Sequence, residues 1–271
     1  MYEFQHPTPV TVALYARTGV VRLHAEDRDD IQVTVEPMDD NDNSREAAES
    51  TPVVLEGDTL VVGDRSTISW SLRRTPKLAI TVRVPSGSSL DGRSASAEVA
   101  ATGTWNAVKL DVASAGVQID GIAGDAQLDS ASGDLNVGPV GGSLRLSVAS
   151  GDVRVGDVTG DVTVKSASGD LRLAGVDGQL LASTASGDVR VGRLREGRSQ
   201  IKTASGDVQV GIEAGAGVWL DVSTASGRTI TDLTQQGIAP PASGGPTIEL
   251  TVRTASGDIH LHRATTERKA A

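Results

Sequence analysis

Short runs of alternating aliphatic and polar residues fill most of this chain, and a returning Ser-Gly corner cuts them. The octads read SASGDLNV (residues 130–137), VASGDVRV (148–155), SASGDLRL (166–173), TASGDVRV (184–191), TASGDVQV (203–210), TASGRTIT (224–231) and TASGDIHL (254–261). Their glycines, Gly133, Gly151, Gly169, Gly187, Gly206, Gly227 and Gly257, are separated by 18, 18, 18, 19, 21 and 30 residues. A short, nearly constant period predicts one small unit stacked many times. Within GDVRVGDVTGDVTVKSAS (151–168), Val153 and Val155 face one way and Arg154 the other, as a short strand requires. Gly156-Asp157 and Gly160-Asp161 turn the chain; Val158, Val162 and Val164 fall inward, and Thr163 and Lys165 outward. Later coils repeat the inward pairs as Leu171/Leu173, Val189/Val191 and Val208/Val210.

This pattern predicts an all-β fold: a single-stranded, β-helix-like solenoid with two facing parallel sheets around a Val/Leu seam. A β-sandwich of hairpins also accommodates short alternating strands. It does not explain why Ala-Ser-Gly recurs in the same place. A stacked coil does, because Gly reaches a positive-φ turn, Ala fits a tight corner and Ser bonds to backbone.

The remaining chain is less regular. PVTVALYA, GVVRLHA and DIQVTVEP (within 9–37) read as strands, and ARTGVVRLHA resembles a diverged repeat with Thr18-Gly19 at its corner. Residues 39–50, DDNDNSREAAES, read as an exposed loop, with a short helix as the alternative. TPVVLEGDTLVVGD (51–64) predicts a hairpin about Gly57-Asp58, and 65–76 an irregular basic segment carrying Trp70. KLAITVRVP alternates cleanly up to Pro85. Residues 1–85 are thus expected to be an irregular β portion or cap, and 86–263 the regular solenoid. GRSASAEVAATG (92–103) and VASAGVQIDGIAG (112–124) are worn coils. TQQGIAPPASGGP (234–246) is expected to loop out between coils, and 264–271 to fray. The coil after Gly227 has Arg228 in place of Asp and Ile230 one position late, which predicts a bulge or shifted strand. The coil at 254–262 is expected to be last and to need protection from edge pairing by its tail, by His260 and His262, or by a partner subunit.

Composition narrows the function. Aromatics are 2% of the 271 residues, which suits a thin aliphatic interior more than a thick enzyme core. The formal charge of −10 disfavours nucleic acid as a partner. No apolar run is long enough to cross a membrane as a helix, so direct insertion is not expected. Cysteine is absent, and MYEFQHPTPV has neither a basic start nor an apolar core like a signal peptide. The expected location is the cytoplasm.

Candidate chemistry lies in ladders. Asp134, Asp152, Asp170, Asp188, Asp207 and Asp258 recur at one corner. They either accept backbone N–H groups at their own turns or hold a divalent cation, calcium by their oxygen donors. The GGxGxD pattern of calcium-binding β-rolls is missing. Arg154, Arg172 and Arg190 stand two residues on, as an internal partner for the Asp ladder or as a surface for an anionic partner. His260 and His262 share an outward face and are a further metal candidate with Asp258. The recurring Ser has no histidine in reach, since His6, His24, His260 and His262 lie near the ends. No catalytic residue and no cofactor is assigned. A carboxylate-dependent polysaccharide hydrolase remains a distant alternative to an interaction scaffold or an ion-binding solenoid.

The repeated (T/S)-A-S-G-D-(V/L)-x-(V/L) octads, with TGVVRLHAEDRDDIQVTVEP near the start, resemble the bacterial DUF4097 or Toastrack family. The resemblance spans nearly the whole chain and implies a β-helical stack, with no catalytic residues to carry over. Some family members adjoin or are fused to membrane-stress proteins of the PspC and LiaF type. It therefore implies a sensing or scaffolding module that reaches envelope stress through a protein partner, and self-assembly through the solenoid ends is compatible with it.

Overall fold

A computed structural model describes residues 1–64, 76–233 and 247–264. The basic segment with Trp70, the 234–246 loop and nearly all of the tail fall outside those residues. The chain divides into two compact units, residues 1–141 and 142–271.

In the second unit, each coil gives one strand to each of two parallel stacks. The first stack runs Leu144–Ser150, Val162–Ser168, Leu180–Ser186 and Gly197–Ser205. The second runs Val153–Val158, Leu171–Val176, Val189–Leu194 and Val208–Ile212. The register follows the repeat: Val153 aligns with Leu171, and Leu171 with Val189. The inward pairs named above are buried throughout, Val153 and Val155 included. Alternation thus does what it predicts, removing one face of each strand from water.

The corner glycine is required by geometry. Gly169 has φ +110°, and a Cβ built on it would lie 2.1 Å from the carbonyl oxygen of Gly151. Neither the backbone conformation nor the space admits a side chain.

Coil order in space departs from order in sequence. Strand Thr247–Ser256 pairs with Gly197–Ser205 on one side and with Gly217–Ser226 on the other. Likewise Ile259–Arg263 lies between Val208–Ile212 and Thr229–Thr231. The segment expected to end the stack is therefore interior, and among the described residues the coil from 217 to 231 is the outermost. No bulge occurs at the irregular octad: Thr229, Ile230 and Thr231 run in line with Ile259, His260 and Leu261. Two threonines occupy the inward positions and Ile230 faces out, 49% exposed. An edge coil covers its neighbour on one side only, which relaxes the demand for aliphatic residues. Register irregularities lie elsewhere, between Val191 and Leu194 in this unit and between Ala101 and Thr104 in the first.

In the first unit, the corner anticipated at Thr18-Gly19 is real. The long strand Thr11–Glu26 pairs in parallel with Ser89–Trp105, and Gly19 has φ +127°. Strands Val108–Ser114, Val117–Ile122, Ala126–Ser132 and Leu135–Val137 continue the parallel pattern. On the other side of Thr11–Glu26 lie Thr59–Val62 and Leu78–Pro85. These two carry antiparallel neighbours: Val53–Glu56 completes the hairpin about Gly57, and Asp30–Pro37 pairs with Leu78–Pro85 and with Tyr2–Gln5. Residues 11–26 are thus a coil, and the segments around them close its end. The run read as a loop is a helix, Asp42–Ser50. Asn41 caps it by accepting the N–H of Asn43, and Ser44 and Ala48 are buried. Capping and one packed face outweigh a polar composition that by itself suggests a loop.

Candidate functional site at the corner ladder and the outer edge

The Asp corner is a chain of hydrogen bonds running up the second unit. The N–H of Asp170 donates to Asp152 Oδ1 (3.1 Å), that of Asp188 to Asp170 (3.1 Å), and that of Asp207 to Asp188 (2.9 Å). It continues through space, not through sequence: Asp258 N–H donates to Asp207 Oδ1 and Arg228 N–H to Asp258 Oδ1, each at 2.8 Å. Each carboxylate serves the coil above it. Arg228 stands where, among the described residues, no further coil follows, so an acceptor there has no N–H to serve. The irregular octad marks the end of the ladder.

The second carboxylate oxygen turns to arginine. Arg172 Nη2 donates to Asp170 Oδ2 at 2.8 Å while its Nη1 lies 3.7 Å from Asp152 Oδ2. Arg190 repeats this with Asp188 and Asp170, at 2.8 and 3.6 Å, and Arg154 donates to Asp152 at 3.2 Å. Each of the two later arginines spans two coils, offsetting the repulsion that stacked carboxylates create. Past Arg190 the stripe becomes Gln209 and then His260. Asp134 sits at the matching corner of the first unit, just before Leu135–Val137.

His260 Nε2 lies 3.1 Å from Asp232 Oδ2, and the His260 and His262 ring centres are 5.4 Å apart. Among the described residues no group of three or more His, Cys, Asp or Glu side chains is placed to hold a metal ion.

Two features escape a reading of the repeats. Arg193 sits 3.1 Å from Asp177, 3.6 Å from Asp157 and 3.6 Å from Glu213, with Arg195 3.2 Å from Asp177. Gly175 faces Arg193 across the register, and a Cβ there would strike Asp157 Oδ1. That glycine, outside the Ser-Gly series, was the available signal. The second feature is the outer coil. Trp219 is 57% exposed and Leu220 37%, whereas Trp105 is fully buried in the first unit. Alignment with Glu249 places Trp219 on the outward face, and alignment with Leu250 places Leu220 on the inward one. Asp221 beside them pairs with Arg253 at 3.2 Å. The first unit also holds a cavity of about 190 Å³ between the helix and the sheet, lined by Ala47, Pro52, Leu78 and Ile80, with Tyr15 and Arg17.

Solved structures similar to this chain include a "putative adhesin" from Bacteroides fragilis, 14% identical, with a TM-score of 0.46, covering 96% of this chain and 95% of that one. A "putative lipid binding protein" from Parabacteroides distasonis is 12% identical, with a TM-score of 0.45 and the same coverage. A "putative adhesin" from Parabacteroides merdae is 13% identical, with a TM-score of 0.34, covering 96% and 94%. Beside these descriptions the expectation of a cytoplasmic chain is withdrawn. Missing cysteine and a polar first segment do not fix a compartment. No curated protein matches the sequence. The family model for Toastrack DUF4097 matches residues 12–261, which takes in both units and every octad, and the chain belongs to that family.

Proposed function

We propose that this protein is a non-enzymatic interaction scaffold or sensing module whose partner is a protein, membrane-associated in keeping with the family's membrane-stress neighbours. The observation that carries this reading is how the charged groups are used. The ladder carboxylates and Arg154, Arg172 and Arg190 are engaged with backbone and with each other, so they serve cohesion between coils rather than a reacting substrate. Catalysis asks instead for a nucleophile or acid–base pair in a recess beside bound substrate. The two strand stacks are proposed to face one another across the aliphatic seam, leaving two flat outer surfaces and an end for recognition.

The test is photo-crosslinking in the native host, with a crosslinker placed on each outer surface and at the edge coil. A specific protein adduct is expected, and its identity decides the envelope-stress link. Labelling of carbohydrate, or turnover of polysaccharide by the purified protein, overturns the reading. Cation binding at the ladder is the competing use of the same carboxylates. Calcium titration by calorimetry with a parallel melting curve discriminates: heat and a raised melting temperature would favour it.

A further inference from the structure

We propose that the outer edge of strand Gly217–Ser226 receives an extended segment of another protein, apolar at alternate positions and acidic where it passes Arg228. The proposal rests on the scaffold reading and assigns it a surface and a partner chemistry.

Strand Gly217–Ser226 pairs with Thr247–Ser256 along one edge, and among the described residues no strand pairs with the other. Its backbone N–H and C=O groups on that side form a template for one more strand. The two halves of the outer coil are built differently. In Thr229–Thr231 the inward residues are threonines, so that half is closed to further apolar stacking. In Gly217–Ser226 the inward residues are still Val218, Leu220 and Val222, and Leu220 is 37% exposed. Trp219 adds a large apolar surface on the outward side. A coil meant only to end the stack would be polar in both halves; this one is polar in one.

Charge selects the occupant. Among the described residues the Arg228 guanidinium makes no ion pair, while Arg253 is held by Asp221 and Arg198 by Glu249. An incoming carboxylate beside Arg228 completes an opposite-charge pair across strands. A second copy of this chain fits poorly. Two-fold antiparallel pairing that keeps Leu220 over the seam brings the two Asp221 carboxylates directly or diagonally opposite, and both chains carry a formal charge of −10. Parallel continuation by another such coil in register stacks a second arginine on Arg228, like charge on like. The occupant is therefore a foreign strand added to the edge.

The probe is a fluorescein-labelled peptide copying residues 247–258, TIELTVRTASGD, which in the molecule already lies against this strand on its opposite side. Placed in the same register on the free edge, it sets its last Asp beside Arg228. Anisotropy with the full chain should give saturable micromolar binding. Leu220→Asp should weaken it at least about tenfold, since an unpaired charge would be sealed into the joint. Replacing the peptide's last Asp with Arg should weaken binding to the wild type by about tenfold and recover it on Arg228→Asp, as paired charge reversal requires. Circular dichroism and melting curves establish that the variants fold. Absence of binding, binding indifferent to Leu220→Asp, or no recovery in the reversed pair would each overturn the proposal. So would sedimentation showing a dimer of the free protein that Trp219→Lys dissolves, which would give the edge to a second copy. If crosslinking finds a partner on the outer surfaces while the peptide fails, the scaffold reading survives and the edge assignment falls.

Discussion

Asp188 donates its backbone N–H to the Oδ1 of Asp170 at 3.1 Å, while Asp170 Oδ2 accepts from Arg172 at 2.8 Å. One carboxylate thereby ties its own coil to the next and neutralises itself against a neighbour two residues away. The two roles separate by substitution. Asp170→Asn keeps an oxygen for the N–H and loses the charge; Asp170→Ala loses both. Asp170→Ala should cost about 1–2 kcal/mol, and Asp170→Asn clearly less, because the arginine pairs are half-exposed and weakly stabilising. Urea unfolding with and without salt checks this. Equal losses in the two variants would place the ladder's value in the ion pairs.

Gly169→Ala should be far more damaging than its size suggests. Positive φ costs about 1–2 kcal/mol for an L-residue, and here the new Cβ also meets the Gly151 carbonyl. Gly57 has φ +58° with nothing within 4 Å of its Cβ position, so Gly57→Ala isolates the backbone cost. The expected ranking in melting temperature is wild type, Gly57→Ala, then Gly169→Ala well below. Matching losses would refute the steric component.

The order of the coils is open to a disulfide test, since the chain has no native cysteine. Ser205 aligns with Ser256, and Ser256 with Ser226. Ser205→Cys with Ser256→Cys should oxidise readily, because adjacent strands hold their Cα atoms within disulfide range. Ser205→Cys with Ser226→Cys should stay reduced across two strand spacings. Mass spectrometry reads both, and the reverse result would restore sequential stacking.

Ser199 occupies an inward position between Leu180 and Leu250, fully buried, and among the described residues its hydroxyl has no hydrogen-bond partner. Ser199→Ala should stabilise by about 1 kcal/mol, because it removes a desolvated polar group and very little volume. A lower urea midpoint in the variant would mean that the hydroxyl has a partner in solution.

If Arg228, Thr229 and Thr231 terminate the ladder, making them Asp, Val and Leu should reopen it. The triple variant is expected to associate with rising concentration, as an unprotected edge does, while the parent does not. Sedimentation velocity at several concentrations reads the difference, and a monomeric triple variant would refute termination at this corner.

Much of the architecture was legible in the residues. Val153, Leu171 and Val189 declare their inward face by alternation, and Gly151, Gly169 and Gly187 declare the period. Asp170 and Arg172 could be paired on paper, since two residues along a strand and one coil across are both contact distances. The spatial order was not legible. STASG at 223–227 and RTASG at 253–257 are equally good neighbours for TASGD at 203–207, so local pattern cannot rank them. Arg228 held the answer, but only once each aspartate is seen to serve the following coil. The helix Asp42–Ser50 was obscured by its polarity, and its stability comes from Asn41 and from packing of Ala48, which a composition does not display.

Insertion of the 247–263 coil beneath the 217–231 coil bears on biosynthesis. A ribosome releases residues 217–231 first, when the Gly206 corner is the exposed rim and this segment is the nearest match for it. Residues 247–263 emerge later and must take that seat, either by displacing the earlier occupant or by arriving before it settles. Growth by simple addition in chain order cannot reach the finished molecule.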